Sequence, residues 1–222
     1  MRKLLMSAVA LSALGVATAA APSGAAVSRR VGSFQASLAP VPHDPAADSG
    51  SNASGQASLV VLDDQLRAFV FVQGLSPNLP HAMHIHGHDE AVAECPSLAA
   101  AGEDGLIDTV DGLPDYGPSQ VSFTTRGATG GNLLPDGLDL ARFPVADQFG
   151  FVNYQRTFTI PDHIADRLGD MHIVVHGHDL NGNGSYDGEL SSLSGLVGAP
   201  VPLEAELPVA CGPLSGFVRN FG

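Results

Sequence analysis

Short runs of alternating apolar and polar residues, each cut off by Gly, Pro or Asn, make up this chain from residue 33 to near its C-terminus. Period-two alternation places successive side chains on opposite faces of a strand, and frequent turn residues stop any long helix from propagating. The pattern predicts eight strands: Ser33–Leu38, Gly55–Leu62, Arg67–Gln73, His81–His86, Gln120–Thr125, Phe151–Ile160, Met171–His176 and Leu203–Leu207. Asp63-Asp64-Gln65 reads as a hairpin turn, and 88–118 and 126–150 as long loops. One short helical segment is expected, over Asp162–Leu168, between Pro161 and Gly169. The fold class is therefore all-β, an eight-stranded Greek-key sandwich or barrel with long loops. At 222 residues and 44% hydrophobic content, one domain over 33–222 is the simplest organisation.

Seven of the nine histidines fall in two of these strands or just beyond them: His81, His84, His86 and His88 in one cluster, and His172, His176 and His178 in the other. On extended backbone His84, His86 and His88 share a face, as do His172, His176 and His178. If the strands meet, three or four imidazoles converge, a donor set suited to copper or zinc rather than calcium or magnesium. The alternative is two half-buried strands with histidines facing solvent.

Residues 1–21 have the form of a secretory signal peptide: Arg2 and Lys3, an apolar run from Leu4 to Val16, then Ala17-Thr18-Ala19 as a cleavage site. A flexible segment is expected over 22–32. No later run is long and apolar enough to span a membrane, so the expected location is secreted or periplasmic. Cleavage removes two of the ten basic residues, including the single lysine, and none of the 23 acidic ones, from a chain already at −13. Such a surface excludes nucleic acid and anionic membranes as electrostatic partners.

Cys95 and Cys211 are the only cysteines, and in an exported chain an even pair reads as a disulfide. Closing a loop of this length contributes on the order of 4 to 5 kcal/mol in the chain-entropy model. Two free thiols added to the histidine site are the competing reading. Asp179, Asn181, Asn183 and Asp187, with Gly184 at the sixth position, match the first nine places of an EF-hand-type calcium loop. Leu190 stands where that loop needs a bidentate Glu. A turn rich in Asn, Asp and Gly for backbone reasons is the other reading.

The stretch Gly74-Leu75-Ser76-Pro77-Asn78-Leu79-Pro80-His81-Ala82-Met83-His84-Ile85-His86 resembles the strand-turn-strand segment of the Cu/Zn superoxide dismutases, which ends in His-Gly-Phe-His-Val-His. Ile173-Val174-Val175-His176 is similar to that family's later Leu-Val-Val-His. Cys95, eleven residues after His84, and Ala210-Cys211-Gly212 look like its two disulfide cysteines. The resemblance covers roughly 33–216 and implies a superoxide dismutase-like fold with one copper on His84, His86 and His176. Superoxide or another small molecule is then the partner at the metal. His88, His172 or His178 is in phase to supply a fourth ligand, and His81 is expected to buttress the site by hydrogen bonding.

Two features depart from that family. No histidine occurs between Asp89 and Asp162, so the zinc subsite is expected to be missing. Pro208 occupies the place of the arginine that guides superoxide. The chordin-type (CHRD) secreted β domains, with a similar His-Ile-His segment, are the next nearest resemblance. They imply a non-catalytic binding module, and a copper carrier on the same scaffold is a third possibility.

Overall fold

The computed structural model describes residues 29–47, 51–88, 94–131 and 139–221. The expected signal peptide lies outside them. Among the described residues nine strands form: β1 (Arg29–Pro40), β2 (Ser54–Leu62), β3 (Gln65–Gln73), β4 (Met83–His86), β5 (Ser119–Ser122), β6 (Val152–Thr159), β7 (His172–His176), β8 (Pro208–Pro213) and β9 (Ser215–Phe221). Among the described residues four short α-helices accompany them, α1 (Thr109–Tyr116), α2 (Asp162–Ala165), α3 (Leu193–Val197) and α4 (Leu203–Glu206), with single 3-10 turns between some of the elements.

The strands pair antiparallel in the order β5-β4-β7-β8-β1-β2-β3-β6, with β9 also on β1. β1 joins two halves: its first part pairs with β2 and β9, while Ala39 and Pro40 at its end pair with β8. The sheet curls around one large core. Phe34, Leu59, Leu66, Val70, Met83, Ile85, Ile173 and Val175 all belong to it. Alternation then forces the residues between them outward, so His84 and His86 of β4 and His172, Val174 and His176 of β7 lie on the opposite face. That face is covered in turn by a second, smaller cluster of Val41, Ile107, Tyr116, Val174 and Cys211.

Three expectations need correction. The strand placed at Leu203–Leu207 is the helix α4, and the C-terminal pairing strands are β8 and β9, which makes nine strands in place of eight. Leu-Glu-Ala-Glu-Leu alternates as a half-exposed strand would, yet Glu204 and Glu206 are both buried. Their carboxylates accept main-chain N–H groups: Leu180 and Asp187 donate to Glu204, and Thr109 donates to Glu206. Second, β1 begins at Arg29, inside the segment expected to be flexible, because its first residues pair with β9. Third, α1 forms inside the loop expected over 88–118. Asp108 caps it, accepting from the Asp111 N–H while the Asp111 carboxylate accepts from the Asp108 N–H. It carries Pro114 in its interior and stops at Gly117.

Among the described residues no helix is long and apolar enough to cross a membrane.

Candidate metal centre

The register of β4 on β7 sets the geometry. His84 pairs with Val174 and His86 with His172, and the His176 N–H donates to the Ala82 carbonyl at 2.8 Å. His176 is thus a diagonal neighbour of His84 on the same face. One ring nitrogen each from His84, His86 and His176 lies within 4.8 Å of the others. The rings themselves pack with centroids 5.4 to 5.6 Å apart. All three residues are buried, at 3%, 1% and 3% exposure.

Hydrogen bonds to Nδ1 fix the direction of two of these rings. His86 Nδ1 lies 2.8 Å from the Gly117 carbonyl, and His176 Nδ1 lies 2.8 Å from the Glu206 carbonyl. A carbonyl oxygen only accepts, so Nδ1 carries the proton in both rings. Burial, together with the neighbouring His176, pushes His86 down to about 3, and burial pushes His176 down to about 4. Both rings are therefore neutral at physiological pH. Their Nε2 atoms are bare lone pairs, buried and without a hydrogen-bond partner. Leaving such an acceptor unsatisfied costs roughly 1 to 3 kcal/mol, which a coordinated cation would offset.

The support around the trio is built in. Gly117 has φ of +75°, and a Cβ there would meet the Gly87 backbone at 2.6 Å, so only glycine lets its carbonyl reach His86. Tyr116 packs its ring 4.7 Å from that of His86, and its hydroxyl donates to the Thr109 carbonyl. The bond between Cys95 and Cys211, with Cα atoms 5.8 Å apart, closes a separation of 116 residues and ties the segment leading into α1 to β8. His43, which no sequence pattern marked, adds a second tie: it accepts from the Ile107 N–H and donates to the Pro208 carbonyl.

The remaining sequence candidates fall outside the trio. His172 is buried opposite His86 but is not part of the convergent group. His88 Nε2 donates to the Pro114 carbonyl at 3.1 Å, and His178 is only partly buried, its N–H on the Glu204 carbonyl. His81 is fully buried, with Nδ1 3.0 Å from the His176 carbonyl and Nε2 3.0 Å from that of Ser76. It thereby clamps the end of β7 to the turn before β4.

The Asp179–Asp187 loop is built differently. The Asp179 carboxylate accepts from the N–H groups of Gly182, Asn183 and Gly184. The amides of Asn181 and Asn183 donate to Asp187, and all four side chains sit near the surface.

Besides His43, the residue that sequence reasoning missed is Glu206. It is 3% exposed. Oε2 accepts from the Thr109 N–H, Oε1 has no hydrogen-bond partner, and the main-chain carbonyl holds both Thr109 Oγ1 and His176 Nδ1. Burial raises its pKa to about 7, against the lowering effect of the Thr109 bond. Glu206 and the trio together line a cavity of about 470 Å³. The only sequence signal was a glutamate where the strand pattern placed a solvent-facing side chain.

Comparison with models of known protein families finds no match, and comparison with curated proteins finds none either.

Proposed function

We propose that His84, His86 and His176 bind one copper ion, and that the chain is an exported, disulfide-bonded copper protein of the superoxide dismutase-like type without a zinc subsite. The two bare, buried Nε2 atoms of His86 and His176 carry this reading, since Nδ1 of each is already committed to a carbonyl. Copper fits the donor set: three imidazoles suit it, and Irving–Williams ordering places it above the other divalent first-row ions. When bound, copper supplies one-electron redox chemistry, and three protein ligands leave room for a small molecule beside it.

This chain's own residues orient and enclose. The carbonyls of Gly117 and Glu206 hold the imidazole tautomers, His81 braces the end of β7, and Tyr116 with the disulfide covers one side. Export agrees with the disulfide, which persists in oxidising compartments. Superoxide is the substrate that the family resemblance implies, but among the described residues no Lys or Arg lines the cavity, while Asp139 and Glu206 do. An anion approaches such a wall slowly. The rival reading, a copper carrier or non-catalytic binding module, draws its support from that wall.

A superoxide assay on copper-loaded protein separates the two. We expect dismutation above that of His176→Ala treated identically but well below diffusion control, rising when ionic strength is raised. Activity equal to that of the variant leaves the carrier reading.

A further inference from the structure

The cavity above the trio is far larger than a diatomic substrate requires. Its 470 Å³ equals the liquid volume of roughly fifteen waters and lies within the range of organic ligand pockets. Most of its wall is apolar, from Leu140, Leu193, Val197, Val201 and Pro202. Leu193 is fully buried, so this part of the wall is anchored. Against it stand the imidazoles of the trio, Thr109, Asp139 and the carboxyl of Glu206. Glu206 is held at Oε2 by the α1 N-terminus, and its buried Oε1 has no well-formed hydrogen bond; the Ser191 hydroxyl stands close enough to lower the pKa of this carboxyl as a hydrogen-bond donor but does not meet Oε1 in good geometry.

We propose that this cavity binds a small neutral organic hydroxyl compound, a phenol or alcohol, with its apolar body against Leu193 and Val201 and its hydroxyl donating to Glu206 Oε1. Charge selects the class. Among the described residues the wall contains Asp139 and Glu206 and no Lys or Arg, so a carboxylate or sulfonate would lose solvation with no cation to replace it. A purely apolar molecule would leave Oε1 buried and unsatisfied. A hydroxyl on an apolar body of roughly ten non-hydrogen atoms meets both conditions.

The inference rests on the trio facing this cavity, but it concerns the protein wall and is testable without copper. Binding of para-propylphenol, para-propylanisole and para-propylbenzoate to chelator-treated, metal-free protein is measured by titration calorimetry. The expected result is one site for the phenol with a dissociation constant below about 1 mM, and both other probes weaker by roughly ten-fold or more. Val197→Trp, which fills the cavity from the α3 side, should abolish saturable phenol binding. Glu206→Gln should narrow the gap between phenol and anisole. If that variant does not fold, the wild-type ratio and Val197→Trp decide. No saturable phenol binding, benzoate binding as tight as phenol, or unchanged binding in Val197→Trp overturns the proposal. Copper loading is scored separately, so a failure of the metal reading leaves this result standing.

Discussion

Two regions of this molecule carried a metal-ligand pattern in the sequence, the histidine strands and the Asp179–Asp187 loop, and they are constructed in opposite ways. In the strands, backbone pairing fixes the donors, and in His86 and His176 hydrogen bonds consume Nδ1 and leave Nε2 buried without a partner. In the loop, the same polar groups fold the turn itself, carboxylate to N–H and amide to carboxylate, near the surface. A donor set is informative when its atoms are left over after the fold has been satisfied. It says little when those atoms make the fold.

Removing a ligand from each region gives the largest contrast. His176→Ala should take copper content from about one per chain to none, whereas Asp179→Ala should leave it unchanged. Copper retained by the His176 variant would erase the distinction.

The cover over the trio is the next place to press. Cys211→Ser should cost on the order of 2 to 5 kcal/mol in denaturant unfolding. Copper affinity should fall with it, since Tyr116 and Gly117 lie on the tethered segment, while the Asp179–Asp187 loop is untouched. A variant with lowered stability but unaltered copper affinity would show that the cover does not orient His86.

Acid acts in opposite directions on the histidine pair and on Glu206 beside it. His86 and His176, with folded pKa values of about 3 and 4 against 6.5 for a free imidazole, provide stability that is present above pH 6.5 and lost as pH falls toward those values. Between pH 7 and 5 the pair should lose roughly 3 to 4 kcal/mol in the metal-free protein. Glu206, raised to about 7, has the opposite sign: its contribution is full below pH 4.5 and is lost as pH rises through 7. It should return about 2 kcal/mol over the same interval. Urea unfolding of metal-free Glu206→Gln should therefore decline more steeply from pH 7 to 5 than wild type. Parallel slopes would mean that the carboxyl is not perturbed as described.

How much of this was legible follows from what each residue does. Alternation along β4 and β7 showed which histidines share a face, and the cysteine pair was readable because an even count in a chain expected to be exported has few other uses. α1 was hidden because Gly112 and Pro114 argue against a helix. Its capping box compensates locally, and Gly112 is there for Tyr116, whose ring a Cβ would meet at 2.3 Å. α4 and Glu206 were hidden for a deeper reason. A buried glutamate is stabilised by N–H groups distant in sequence, from Thr109 in one case and Leu180 and Asp187 in the other, and no local pattern encodes such partners. The third correction, β1 starting at Arg29, has the same origin, since β9 pairs with it from the far end of the chain.

The smallest effects belong to the loop. Glu204→Gln, which weakens the acceptor for Leu180 and Asp187, should cost about 1 to 2 kcal/mol and leave copper in place. Calcium at about 1 mM should raise the melting temperature by no more than about 2 °C, because the loop lacks a carboxylate at its twelfth position and is already folded by its own hydrogen bonds. A larger shift would make the loop a second metal site and dissolve the contrast.

The central claim is tested most directly by elemental analysis of the protein purified without added chelator and then equilibrated with equal copper and zinc. The account predicts about one copper per chain, held by His84, His86 and His176, and no stoichiometric zinc. Zinc at full occupancy, or a chain that takes up neither metal, would contradict it.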